Sequence, residues 1–308
     1  MRPSQHDDAY TGRNILVTGA GGYIGAALVK ALTACSPRSL ALLDSSEQNL
    51  FELRAENSIL GSVEDQALLD EIFTRFQPEI VFHAAAHKHV ALLELNPFAA
   101  ARNNVLGTNT VARAALRHGC QKFVLVSTDK AVRPKSIMGA TKRVAELLTV
   151  SLSNPRCRMN AVRLCNVMGS TGSVVPIFKD QIARALPLTV TDKNASRYFM
   201  TVEKAVDALL EAGASQQSGC IFLPDFGDPV SILHLAQTLM GDKNLPIEFI
   251  GLRAGEKIAE DLASPMDARR LSPEECCVVV ERIANAVATR SLHELLEAIA
   301  WVVPEYSR

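Results

Sequence analysis

The chain has 308 residues, 48% hydrophobic and 21% charged, and its 32 basic and 33 acidic side chains leave a formal net charge of −1. That length fits one large α/β domain, or one carrying a smaller lobe, and the spread of apolar residues excludes global disorder. The charge balance speaks against a nucleic-acid surface or a polybasic anchor, no apolar run approaches the ~20 residues that span a bilayer, and seven scattered cysteines without a C-x-x-C pair read as reduced thiols in the cytoplasm.

Residues 1–13 read as a disordered leader, polar and without the apolar core of a signal peptide. NILVTG (14–19) predicts a buried strand, AALVKALTA (26–34) a helix and LALLD (40–44) a second strand. A short run near SILGSV (58–63) predicts a third, followed by a helix through Glu64–Phe76. EIVFHAAA (79–86) and KFVLVST (122–128) are the fourth and fifth strands, separated by a long helix from about Asn96 to His118. Short β-rich runs alternating with helical patterns require crossover connections, hence a doubly wound parallel sheet of Rossmann type with ligands at the carboxyl ends of its strands. Beyond Leu164 the texture changes: GSTGSVVP (169–176) is a loop, IFKDQIARAL a helix, GLRAGEK (251–257) a turn, and Ser291 with Glu294 predicts a capping box opening the last helix. Residues 14–165 are thus assigned to the Rossmann domain. Residues 166–308 are assigned mainly to a smaller substrate-binding lobe, with some segments returning to the core.

Gly19, Gly22 and Gly25 in TGAGGYIG follow a strand and open a helix. A tight turn, close approach of backbone to a pyrophosphate and close helix–strand packing each demand glycine there. Asp44 ends strand two, 19 residues beyond Gly25, where a carboxylate accepts from a ribose diol. Ser45 and Ser46 follow rather than arginine, so a 2′-phosphate would meet uncompensated negative charge and NAD is favoured over NADP.

The densest chemistry is STDKAVRPKSIMGATKR (127–143). Ser127 and Thr128 are placed at a strand end facing the cleft, Asp129 and Lys130 follow, and Met138 and Lys142 share a helix face. Here the sequence resembles the extended short-chain dehydrogenase/reductases, which pair such a Ser or Thr with a Tyr-x-x-x-Lys helix. In that pattern the lysine, here Lys142, holds the nicotinamide ribose. Met138 stands where the tyrosine belongs, and a thioether cannot shuttle a proton.

STDKAV..P...MGATKR, with HAAAHKHVALLELNP (83–97), RNNVLGT (102–108), RLCNVMGSTGSVVPIF (163–178), RYFMT (197–201) and GLRAGEK (251–257), resembles the CapD-like polysaccharide biosynthesis family from about residue 14 to 263. The resemblance implies a UDP-N-acetylglucosamine 4,6-dehydratase, and Met at this place is a property of that family. Several of its members carry a transmembrane region before the catalytic domain, so the chain is expected to be the catalytic part or a soluble member. The resemblance implies NAD contacts from Gly19, Gly22, Tyr23, Ile24, Gly25, Asp44, Ser45, Ser62, Val63, Ala84, Ala85, Ala86, Asn104, Ser127 and Lys142. It also implies that Asn166 meets the substrate diphosphate, that Ser173, Val174 and Val175 border uracil, and that Arg197 and Arg253 hold phosphates, with Glu256 on the uridine ribose. Lys88, after strand four, is within reach of the sugar or its phosphates. The chain departs from the family at Ser62, where an Asp contacting adenine is usual, and at His87, Ala91 and Cys165.

A 4,6-dehydratase moves hydride from C4 of the sugar to NAD, eliminates water across C5 and C6, and returns the hydride to C6. It needs an adjacent acid and base, which Asp129 and Lys130 could supply if burial raises the acid's pKa and lowers the lysine's. Thr128 can bond the C4 oxygen, and Asp129 acting through Thr128 or a water is one route for the O4 proton. His83, His87 and His89 lie at a strand end with no cysteine or carboxylate completing a set, so no metal is expected. HKHV, RNNV and RYFMT resemble the C5-retaining group of the family, so retention at C5 is expected. The rivals are a C5-inverting dehydratase, a UDP-sugar 4-epimerase, and an NAD-binding sensor or scaffold. A homo-oligomer associating through helices beside the active site is expected.

Overall fold

A computed structural model describes residues 7–307. Six parallel strands, β1 (Asn14–Thr18), β2 (Ser39–Asp44), β3 (Ser58–Leu60), β4 (Ile80–His83), β5 (Lys122–Thr128) and β6 (Arg158–Leu164), stand in the order 3-2-1-4-5-6. The short strand Ile221–Phe222 adds a seventh, parallel, on the β6 edge. That order reverses between β1 and β4, and the crevice at the reversal is where such sheets bind ligands.

The strands read as continuous apolar runs because both faces are covered. Ile15, Val17, Phe82, Val124 and Val162 point to one core, packed by helices Tyr23–Ala34 and Val202–Ala214. Leu16, Val81, Phe123 and Leu125 point to the other, packed by Gln66–Phe76 and Thr108–Arg117. Helix Ile137–Leu152 is buried from Ile137 to Val150, with the C-terminal pair Pro273–Thr289 and Leu292–Val302 sheathing it. One helix beside the cleft is therefore already covered by the chain itself. Among the described residues, no helix is long and apolar enough to cross a membrane.

The smaller lobe has its own core of Phe178, Leu188, Val190, Ile232 and Ala236, formed by helices Val174–Ala183 and Ile232–Met240 over the parallel strands Leu188–Val190 and Ile247–Phe249. It is stitched to the sheet domain where Asn166–Val167 pairs with Phe199–Met200.

Four expectations need correction. Residues 1–6 lie outside the described residues, but the end of the expected leader is ordered: Asp7–Tyr10 is a helical turn, and Tyr10 is fully buried with its hydroxyl donating to the Leu210 carbonyl. The helix between β4 and β5 starts at Pro97 and is interrupted by a π-helical turn, Arg102–Gly107. The loop expected through Pro176 ends at Ser173, because proline is tolerated in a first turn whose N–H groups lack intrahelical partners. Ser291 Oγ caps Glu294 N, but Glu294 does not reciprocate: the Ser291 N–H already bonds Ala286 O, and Glu294 Oε2 accepts from Thr289 Oγ1 at 3.3 Å. Reciprocal boxes form instead at Ser264/Asp267 and Ser272/Glu275.

Candidate active site

Beyond β1, Gly19 turns the chain at φ +67°. A Cβ there would stand 2.5 Å from Ala85 N, and one at Gly25 would stand 2.0 Å from Gly19 O. The turn therefore closes on the loop after β4, and the helix on the turn, only without side chains. Helix Tyr23–Ala34 starts after Gly22 with no side-chain cap, leaving its first N–H groups for an anion. Asp44, buried at the end of β2, accepts from Gly21 N and Ser46 N at 2.9 Å each.

Two chambers meet over this turn, and Gly19, Gly22, Ala84 and Ala86 line both. The smaller, about 170 Å³, lies among Asp44, Ser45, Ser62, Val63, Ala85 and Asn103. The larger, about 640 Å³, runs past Tyr23, Ile24 and Lys88 to Thr128, Lys130, Met138, Lys142 and Asn166. A chamber on each side of an uncapped helix N-terminus fits the two halves of a dinucleotide. The lining of the smaller chamber includes Asp44 but no lysine or arginine, which suits a free ribose diol.

At the end of β5 the two hydroxyls part company. Ser127 lines the larger chamber, but its Oγ donates to buried Glu146 at 2.7 Å, behind the wall. Glu146 also accepts from Arg163 Nε and Nη2 (2.9 and 2.8 Å) and from Arg143 Nη1 (3.0 Å), while Arg163 grips Asp267 with two further bonds. Thr128 Oγ1 donates to Asp129 Oδ1 at 2.9 Å. Asp129 is fully buried and does not line the chamber; the neighbouring Thr128 and Lys130 do. Its Oδ2 has no hydrogen-bond partner.

Lys130 Nζ donates to Asp129 Oδ1 (2.9 Å) and Asn166 Oδ1 (3.0 Å), with Glu260 Oε1 at 3.9 Å. Burial lowers its pKa, but the Asp129 and Glu260 carboxylates more than reverse this, so it is raised. Burial thus acts on Lys130 in the expected direction, and the two carboxylates outweigh it. Lys142, in contrast to Lys130, is pushed down to about 8 by burial, partly opposed by Glu146; its Nζ donates to Val126 O at 2.7 Å. Met138, one turn earlier, sits in an apolar wall with Leu93, Ala100 and Ile137.

Asn104 is fully buried in the π-helical turn and clamps the His87 backbone, accepting from its N–H at 2.9 Å and donating to its carbonyl at 3.0 Å. It shapes the chamber from behind. His83 is sealed between Thr18 Oγ1 (2.7 Å) and Thr108 Oγ1 (2.9 Å), and burial, with Lys142 nearby, lowers its pKa to about 3.

Of the expected substrate residues, Lys88 and Asn166 line the larger chamber, and desolvation lowers Lys88. Ser173, Val174, Val175, Arg197, Arg253 and Glu256 are not among the lining of either chamber. The Arg197 guanidinium donates to the carbonyls of Ser196, Lys257 and Ile258, Arg253 is exposed, and Glu256 Oε2 accepts from Arg253 N at 3.2 Å. The residues that sequence reasoning missed are Asn103, Glu146, Arg163, Asp267 and Glu260. For Glu260 the only local signal was its position just after GLRAGEK.

The sheet order, glycine turn and Met138–Lys142 helix define an extended short-chain dehydrogenase/reductase. The polysaccharide biosynthesis protein family matches residues 15–281, and the chain belongs to that family. The capsular polysaccharide biosynthesis protein CapD of Staphylococcus aureus is 43% identical over 270 residues, covering 82% of this chain and 45% of its own length. The chain thus spans about half of that relative. A UDP-N-acetylglucosamine 4,6-dehydratase (inverting) of Campylobacter jejuni is 34% identical over 84% of this chain and 80% of its own. A UDP-glucose 4-epimerase of Rickettsia canadensis is 32% identical over the same shares. Among solved structures, Pen from Bacillus thuringiensis superposes with a TM-score of 0.77 at 32% identity, covering 83% of this chain and 84% of that one.

Proposed function

We propose that the chain catalyses the NAD-dependent 4,6-dehydration of UDP-N-acetylglucosamine, giving a UDP-4-keto-6-deoxy-N-acetylhexosamine for surface glycans. The observation that carries this is the Thr128–Asp129–Lys130 cluster facing a helix that offers Lys142 but a thioether at Met138. Bound NAD supplies the hydride acceptor and donor; the glycine turn and Asp44 suit its pyrophosphate and ribose.

The protein's own groups divide the proton work. The O4 proton passes to Thr128 Oγ1 as that hydroxyl hands its own to Asp129 Oδ1, along the 2.9 Å bond. A protonated Asp129 is the acid for the leaving C6 hydroxyl, again through Thr128. Its neutralisation also removes the nearest counter-charge of Lys130, which releases a proton to water and becomes the base for C5. The Lys130 ammonium exchanges its protons with solvent and delivers one to C5 when C6 is reduced, and one water leaves per turnover.

The Campylobacter relatives named as inverting support inversion at C5, whereas HKHV, RNNV and RYFMT resemble the retaining group. The epimerase names among the relatives support a second reading, but an epimerase needs a group at position 138 that shuttles the O4 proton.

Proton NMR of the protein with UDP-N-acetylglucosamine and NAD in D₂O tests all three. A C6 methyl signal with deuterium at C5 is expected, and the same reaction in H₂O reports configuration through the H3–H5 nuclear Overhauser contact, present with retention and absent with inversion. A galacto-configured product without a methyl would establish the epimerase, and an unchanged spectrum with NAD bound would remove the dehydratase reading.

A further inference from the structure

We infer that Glu260 is a positioning residue of the acid–base site, governing the protonation of Lys130 from the segment that follows the GLRAGEK turn. Its catalytic meaning rests on the dehydratase reading; the measurement below does not.

Glu260 lies on the segment after the GLRAGEK turn, 8% exposed, with Oε1 at 3.9 Å from Lys130 Nζ and Oε2 at 3.3 Å from Lys257 Nζ. Lys257 Nζ donates instead to Val132 O at 2.7 Å, and Glu260 Oε2 has no hydrogen-bond partner. A carboxylate oxygen taken out of water without a hydrogen bond must be compensated by charge, and Lys130 and Lys257 are cations beside this one. At 3.9 Å the contact with Lys130 is electrostatic, while the ammonium's hydrogen bonds go to Asp129 and Asn166.

The other charged or titratable groups around this pair are known. Asp129 is on the segment of Lys130, and Arg197 opposes its charge from the lobe. Cys165 lies beside Asp129 and is pushed up to about 12, by burial and then by that carboxylate. Lys204 acts on Cys165, and Asp261 stands 3.9 Å from Lys257 while pairing with Arg133. Of these, only Asp129 and Glu260 raise Lys130. Once Asp129 holds a proton, Glu260 is the remaining anion, so it decides how readily Lys130 gives up its proton and how well the ammonium formed on C5 deprotonation is held.

The test is pulse acetylation of the ligand-free full chain with acetic anhydride across pH, read by peptide mass. In Glu260→Gln the labelling midpoint of Lys130 should fall by about one unit or more, the size of shift an opposite charge within ~4–6 Å produces. Glu260→Asp, which keeps the charge one methylene further back, should give a smaller fall. Lys257→Gln should give none. In turnover, the rising limb of kcat in Glu260→Gln should move to lower pH with KM unchanged.

An unmoved Lys130 midpoint in folded Glu260→Gln would overturn the inference and leave Glu260 a structural partner of Lys257. Should that variant not fold, an unmoved midpoint in Glu260→Asp overturns it equally. A midpoint that falls while the wild-type protein makes no methyl product would instead leave the inference standing and remove the dehydratase reading.

Discussion

Replacing Glu146 by alanine leaves the guanidiniums of Arg143 and Arg163, each 1% exposed, around a missing acceptor. Four bonds are lost: Ser127 Oγ at 2.7 Å, Arg163 Nε at 2.9 Å and Nη2 at 2.8 Å, and Arg143 Nη1 at 3.0 Å. Breaking one side of a buried ion pair costs about 3–5 kcal/mol, chiefly because the surviving charge is stranded. Here neither charge is fully stranded. Arg163 keeps its double bond to Asp267 at 2.7 and 2.8 Å, and Arg143 keeps Glu305 at 3.3 Å. The expected loss is therefore at the low end, about 3 kcal/mol. Glutamine does not rescue it, because its NH₂ turns a donor toward donors. Urea unfolding checks this: the midpoint should fall at unchanged slope, since the surface exposed on unfolding stays the same. A midpoint for Glu146→Ala equal to that of the wild type would refute the reasoning. The variant should also weaken NAD binding, because Ser127 loses the acceptor that fixes the end of β5.

Gly25→Ala puts a Cβ 2.0 Å from the Gly19 carbonyl oxygen, and overpacking of about 1–3 kcal/mol should weaken NAD roughly tenfold or more by calorimetric titration. Unchanged affinity would mean the turn is not the pyrophosphate site. Met138→Leu conserves volume in an apolar wall and removes only a thioether, so kcat should change by no more than about threefold, and a hundredfold loss would give Met138 a chemical role. Lys142 is pushed down to about 8 in the folded chain, so between that pH and its ordinary value of about 10.4 the unfolded chain binds more protons and stability rises with pH. Lys142→Met should abolish that rise and increase Tm near neutral pH while weakening NAD; a Tm that falls instead would contradict the burial cost assigned to the ammonium.

The parts of this molecule legible in its sequence are those written by short-range rules. Strand β5 appears at Lys122–Thr128 because an apolar run bounded by polar turns is a local signal. The glycine turn is equally local, and the structure gives Gly19 and Gly25 a steric reason. RNNV suggests a cofactor contact at Asn104, but a π-helical turn changes which way a residue faces, and periodicity does not encode that insertion. The box expected at Ser291 fails for a similar reason: whether Glu294 reciprocates depends on whether Ala286 O has already taken the Ser291 N–H.

The sign of the Lys130 shift escapes the sequence for a deeper reason. Burial alone argues for a lowered lysine, and adjacent Asp129 argues the other way; Glu260, 130 positions along the chain, adds to Asp129, and such a partner leaves no trace in spacing. Arg163 on β6 bridges Glu146 and Asp267 by the same long-range logic. Apolar residues announce where they will be buried, whereas a buried charge depends on a counter-charge that the topology must deliver. In this fold the topology delivers both from the segment after the GLRAGEK turn, Glu260 to Lys130 and Asp267 to Arg163. The basicity of Lys130 and the stability of the strand end beside it therefore depend on residues more than 100 positions away in the sequence.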